Sequence, residues 1–461
     1  MNRYNLSGEL LREMASPSSP SSSSTEIAVA VDPTLEEDFY VVARAMREAS
    51  RQRRSSHDSS VGKQVAPEGD ESTTARNGTV SPTPLASASR IAQQTSSPNA
   101  SSCPATGSWP NKAVPDDSPG ENGYEGGNSD DDDDDDDDGD DGGEEEWPEE
   151  EGGRDDDTEP YSMPSSVRDH QFEGGLRYHA YRAGKYAFPN DEIEQNRDDM
   201  KHAMTLMLCR GAYFYAPVEE ALEKGGQVLD LGTGTGIWAI ELGDKYPNST
   251  ITGVDLSPIQ PTFVPENVHF FVDDFEEDWV DPPNKYDFIH IRHTLHSVKD
   301  IDALLSRVMR HLKPGGYFEI QELDNTPHSD DGTVSPETPY ALRDFINFVI
   351  AGLRVLGSDG FAVLRMPERM QAAGFEDVQK KTHKCPIGAW PRDRRLRYCG
   401  LFMRTSIMDG LRGLSRRPLT ALGWTPLQIE MFLVEVRKAL METSVHSYLG
   451  LHVIYGRKPL G

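Results

Sequence analysis

Apolar residues are sparse up to about residue 160 and then return in two alternating periods. Short apolar runs at 227–230, 250–254, 268–272, 286–291 and 317–321 predict strands. Helical spacing over 236–245 and 301–311 predicts helices between them. Ahead of the first strand, 191–208 predicts a helix, with Asp191 and Glu194 as a capping pair and Met204, Met207 and Leu208 on one side.

Apolar strands separated by helices imply a parallel sheet covered on both faces, and right-handed crossovers leave few ways to connect it. The expected fold is therefore α/β, a Rossmann-like doubly wound sheet. Beyond Glu322 the pattern predicts helices at 340–356 and 367–373, a strand at 377–384, and a helix at 425–441. Thr425, Pro426 and Gln428 start that last helix as cap, first-turn proline and capping-box partner. A final strand at 447–455 completes a mostly parallel sheet with a C-terminal antiparallel strand, and the late helices cap its open edge.

The first 160 residues contain runs such as SPSSPSSSST and too few apolar side chains to offset the entropy of ordering. They read as a disordered extension, and 165–461 as the folded domain. Residues 125–159 hold 22 acidic residues and one basic residue, Arg154, so this window carries 21 of the 31 net negative charges. Such a run repels itself, opposes direct contact with nucleic acid, and suits either a solvated tail or basic partners. Within the extension, Leu35, Phe39, Val42 and Met46 recur at helical spacing behind a capping box of Thr34 and Glu37. A helix over 34–54 is expected to dock on a partner or on the protein's own core, and the trailing RQRR suits nuclear import.

Cys103, Cys209, Cys385 and Cys399 lie far apart, which suggests neither a zinc site nor a disulfide framework and fits a reducing compartment. The start lacks the apolar stretch of a signal peptide, and no run is long enough to span a bilayer. An intracellular location, nuclear or cytoplasmic, is expected.

The chemistry concentrates in VLDLGTGTGIWA, where Asp230 ends the first strand and Gly232, Gly234 and Gly236 turn the chain into the first helix. The third glycine comes one residue too early for a dinucleotide fingerprint, so no pyrophosphate cradle is implied. Asp255, followed by Leu256, ends the second strand, where a carboxylate accepts hydrogen bonds from both hydroxyls of a ribose. Asp274 and Phe275 follow the third strand, where the acid can accept from an adenine amino group and the ring can line the base. Asp273 is the alternative to Asp274. All three acids fall at carboxyl ends of adjacent strands, the place where open α/β sheets bind ligands.

Together GTGTGIWAIE, GVDLSPIQP, YDFIHIR and LKPGGYFE resemble the fungal LaeA-like methyltransferases, the family of the secondary-metabolism regulator. RYHAYRAGKYAFPNDEIEQNRDD is similar to that family's lead-in, and GLHVIYGRKP to its closing strand. The resemblance implies a class I methyltransferase sheet with S-adenosyl-L-methionine bound at Asp230, Gly232, Gly234, Gly236, Asp255, Leu256, Asp274 and Phe275. It also implies a small-molecule or protein methyl acceptor and, for several members, nuclear partner proteins. A regulatory interaction protein that binds cofactor with little catalysis is the alternative. The long Asp-rich extension departs from the family pattern.

Methyl transfer from a sulfonium is an in-line displacement, so positioning in a dry pocket dominates. Where the acceptor must lose a proton, His293, His296 and Glu322, after the fourth and fifth strands, are the candidate bases. His290, His293 and His296 cross from strand to loop without a supporting ligand set, which argues against metal. Tyr178, Arg182 and Arg197 are candidates either for closing over the cofactor's methionine end or for plain surface roles.

Overall fold

The computed structural model describes residues 33–58 and 169–461. It opens with α1 (Pro33–Asp58), a hairpin of β1 (His170–Glu173) and β2 (Leu176–His179), α2 (Glu192–Leu208) and α3 (Glu219–Glu223). Next come β3 (Gln227–Leu231), α4 (Ile237–Lys245), β4 (Thr250–Asp255), β5 (Val268–Val272) and β6 (Tyr286–Arg292). Then follow α5 (Ile301–His311), β7 (Leu312–Leu323), α6 (Ala341–Val355), α7 (Met366–Ala372) and β8 (Glu376–Pro386). The chain closes with α8 (Arg394–Ala421), α9 (Pro426–Met441) and β9 (Tyr448–Arg457).

Seven strands form one sheet in the order β5-β4-β3-β6-β7-β9-β8. The pairs from β5 to β7 are parallel, and β9 runs antiparallel to both β7 and β8. The doubly wound sheet with an antiparallel C-terminal strand is therefore as expected. Strand order reverses between β3 and β6, so the crevice of a switch point opens above the end of β3. Register places Asp230 opposite Gly253 and Asp255 opposite Val272, which brings the acidic strand ends to one edge.

Local signals explain the helix starts. Asp191 accepts from the backbone N–H groups of Ile193 and Glu194, Asp300 from Ala303, and Asp393 from Leu396. Thr425 and Gln428 close the expected capping box. Helices α2, α6, α8 and α9 pack Met204, Phe345, Phe402 and Leu433 into one apolar cluster over the sheet's end.

Helix α8, the short helix α3 and the hairpin β1–β2 were not expected from the sequence. Helix α1 extends the expected 34–54 segment at both ends and docks on the domain's own core, with Phe39 fully buried against Phe402 at 5.0 Å between ring centroids. The rest of the extension, including the acidic window and Cys103, lies outside the described residues. Among the described residues no helix is long and apolar enough to cross a membrane.

Candidate functional site

A cavity of about 1140 Å³, part of it open to solvent, lies above the carboxyl ends of β3, β4 and β5. Asp230, Gly232, Gly234, Asp255, Leu256, Asp274 and Phe275 line it, as the sequence places them. Gly236 does not: its φ of +77° ends the turn, and a Cβ there would come within 2.4 Å of the Phe270 ring. Its lack of a side chain lets α4 pack closely on the sheet.

Asp230 is engaged on both oxygens. Thr233 Oγ1 donates to one at 2.7 Å, and His290 Nδ1 donates to the other at 2.8 Å. His290 stacks flat on Trp238 at 3.8 Å, and burial lowers its pKa, so it stands there as a neutral donor. Asp230 therefore anchors the turn from beneath while facing the cavity.

Asp255 accepts from the Gly234 N–H and the Ser257 N–H, both at 2.9 Å, and burial pushes its carboxyl up to about 7. Each bond uses one lone pair, and the remaining lone pairs suit further donors. Asp274 lies 4% exposed, accepts from the Glu276 N–H at 3.0 Å, and pairs with Lys185 Nζ at 2.9 Å. Asp273, its alternative, turns aside to the Asp274 N–H and the Tyr181 hydroxyl and does not line the cavity.

The lead-in segment supplies different residues from those singled out in the sequence. Tyr178 is buried beneath the Arg417 guanidinium, 3.6 Å above its ring, and Arg182 lies over the Tyr181 ring at 5.8 Å and faces Glu277 at 3.9 Å. Neither lines the cavity, because β2 buries Tyr178 and the Arg182 side chain turns toward solvent. Lys185, Gln195, Asp198 and Lys201 do line it, with Lys201 Nζ held by Asp198 Oδ1 at 2.7 Å. The i, i+3 spacing of Gln195, Asp198 and Lys201 was the available signal that one face of α2 carries them.

A second cavity of about 830 Å³, likewise partly open to solvent, adjoins the first, and Tyr186, Glu194, Lys201 and His293 line both. Its walls are largely apolar, from Phe345 and Val349 on α6 and Met403 and Ile407 on α8. Its polar residues include Arg197, His293, His296 and Glu322, so the three candidate bases meet in this cavity. His296 Nδ1 lies 3.5 Å from Glu322 Oε2, and His293 Nδ1 lies 3.9 Å from Glu322 Oε1. Burial pushes the His293 imidazole down to about 4. Burial opposes ionisation of Glu322, and the facing imidazoles outweigh it, holding its carboxyl well below the usual range. A carboxylate that orients an imidazole by one nitrogen leaves the other free to take a proton.

A model of the methyltransferase domain matches residues 200–380. The methyltransferase pytC of Aspergillus terreus is 40% identical over 305 residues, covering 66% of this chain and 92% of pytC. The secondary metabolism regulator LAE1 of Cochliobolus heterostrophus is 33% identical over 291 residues, covering 62% of this chain and 94% of LAE1. The protein-methionine methyltransferase laeA of Emericella nidulans is 32% identical over 304 residues, covering 65% of this chain and 79% of laeA.

Proposed function

Because the chain belongs to the LaeA-like methyltransferase family, we propose that it methylates a small, largely apolar molecule held in the second cavity, with S-adenosyl-L-methionine in the first. The carrying observation is the shared boundary: Tyr186, Glu194, Lys201 and His293 line both cavities, so a methyl donor in one faces an acceptor in the other.

The residues present fit this cofactor. Asp255 and Asp274 offer carboxylate oxygens to ribose hydroxyls and an adenine amino group, the Gly232–Gly234 turn admits close approach, and Leu256 and Phe275 supply apolar walls. The cofactor supplies an electrophilic methyl group on a sulfonium. The chain's residues then exclude water, align the acceptor, and take its proton. We assign proton removal to His296, oriented by Glu322, with His293 kept neutral beside them. A role in secondary metabolism is carried over from the relatives' names.

A methionine side chain of a protein is the second reading, favoured by the apolar walls and by the name of the Emericella nidulans relative. A thioether has no proton to lose, so it needs no base. Calorimetric titration with S-adenosylhomocysteine, followed by an acceptor screen, tests the proposal. Saturable binding lost in Gly234→Val, together with methylation of a phenol or enol, supports it. Absence of binding by folded protein removes it.

A further inference from the structure

Arg197, a candidate in the sequence for either the cofactor's methionine end or a plain surface role, lines the second cavity. Its side chain is 6% exposed, a rare state for an arginine. The Nε donates to Glu194 Oε2 at 3.1 Å and Nη1 to Ser406 Oγ at 3.3 Å. A guanidinium carries five N–H donors in a planar fork, so these bonds leave donors without a protein partner among the described residues.

The seat is built for this side chain. Gly410 on α8 faces it, and a Cβ at that position would lie 2.3 Å from Arg197 Nε. Any larger residue would push the guanidinium out of the gap between α2 and α8. Glu194 balances the charge, which makes the buried cation tolerable. A second anion placed on the same guanidinium would face Glu194, so the unused donors suit a neutral oxygen.

On the reading that the second cavity receives the acceptor, we propose that Arg197 determines specificity by donating to a carbonyl oxygen of a neutral, largely apolar acceptor. The apolar walls on α6 and α8 bind the carbon skeleton, Arg197 fixes its orientation, and the reacting hydroxyl is left to His296.

The test uses the full chain saturated with S-adenosylhomocysteine and three calorimetric probes: 6-acetyl-2-naphthol, 6-ethyl-2-naphthol and 6-hydroxy-2-naphthoic acid. The acetyl probe should bind about tenfold more tightly than the ethyl probe, about 1.4 kcal/mol, and more tightly than the acid. Arg197→Met should erase that preference while S-adenosylhomocysteine affinity stays as in the wild type. Arg197→Lys, which keeps a cation beside Glu194, should fold normally and lose most of the preference with the planar fork. Equal binding of the acetyl and ethyl probes, a preference that survives Arg197→Met, or tighter binding of the acid would overturn the proposal. Loss of S-adenosylhomocysteine affinity in both variants would overturn it as well, by returning Arg197 to the cofactor. Binding of no probe by cofactor-loaded protein would remove the acceptor chamber itself.

Discussion

The Gly234 N–H donates to Asp255 Oδ2 at 2.9 Å, so the glycine turn after β3 and the acid ending β4 are joined without any ligand between them. The same carboxylate takes the Ser257 N–H on its other oxygen, which leaves it held in place and pointed into the cavity.

That arrangement carries a pH dependence. Burial raises the Asp255 carboxyl to about 7, so it is largely protonated at pH 6 and largely ionised at pH 8. The ionised form accepts ribose hydroxyls better, so cofactor binding expels the proton. S-adenosylhomocysteine should bind about tenfold more weakly at pH 6 than at pH 8, following the ionised fraction. Calorimetry at both values checks this, and Asp255→Asn should bind weakly with no such slope.

Neighbouring glycines of one turn should fail in different ways. Gly236 is pressed on Phe270 at positive φ, so Gly236→Ala should lower unfolding free energy by about 1–3 kcal/mol through overpacking and backbone strain. Around Gly234 the nearest atom to an added Cβ is Asp198 Oδ2 at 3.4 Å, at the cavity wall. Gly234 also sits at positive φ, +58°, so Gly234→Ala carries backbone strain without the ring clash: it should retain more stability than Gly236→Ala and weaken S-adenosylhomocysteine binding. Denaturant unfolding and ligand titration of both variants separate the two outcomes.

Asp230 and Asp255 were readable in the sequence because each falls at the end of an apolar run, whereas the run before Asp273 and Asp274 could not choose between those two. Which oxygens are already engaged depends on neighbours distant in the chain, such as His290 for Asp230, and no local pattern carries that. Helix α8 was hidden by its own packing. Gly400, Gly410, Gly413 and Pro418 depress its helical propensity. Gly400 is required because a Cβ there would sit 1.9 Å from the Gly388 carbonyl oxygen. The second cavity is walled largely by α6 and α8, so missing one helix concealed that cavity. Spacing likewise put Arg197 on α2 without telling which cavity its face of the helix would meet.

Acceptor chemistry can be read through Glu322. Glu322→Gln removes the anion that faces His293 and His296. Methyl transfer to a phenolic or enolic acceptor should fall, by at most about 10²–10⁴-fold, the usual contribution of the base that Glu322 orients. S-adenosylhomocysteine should bind as in the wild type, because Glu322 lines only the second cavity. A thioether acceptor would be methylated at a nearly unchanged rate. Initial rates of the wild type and Glu322→Gln on each acceptor type therefore decide between the two readings.

The N-terminal helix should matter to the acceptor and not to the cofactor. Phe402 and Asp409 on α8 meet Phe39 and Arg47 of α1, the latter through an ion pair at 2.6 Å. Met403 and Ser406 of the same helix line the second cavity. Helix α1 thus braces α8 next to the face that lines the second cavity. Removing the buried ring by Phe39→Ala should cost up to about 3–5 kcal/mol if the cavity stays open, and less if α1 lifts away. Arg47→Ala, whose pair is about a third exposed, should cost under about 1 kcal/mol. With the brace weakened, α8 loses its fixed position, so Phe39→Ala should weaken binding of the naphthol probes several-fold. S-adenosylhomocysteine affinity should be unchanged, because α8 lines no part of the first cavity. Hydrogen exchange across α1 and α8, measured beside both titrations, checks the chain of cause: faster exchange in both helices with weaker probe binding is expected. Unchanged probe binding by a variant whose α1 exchanges freely would show that α8 holds its place without the brace.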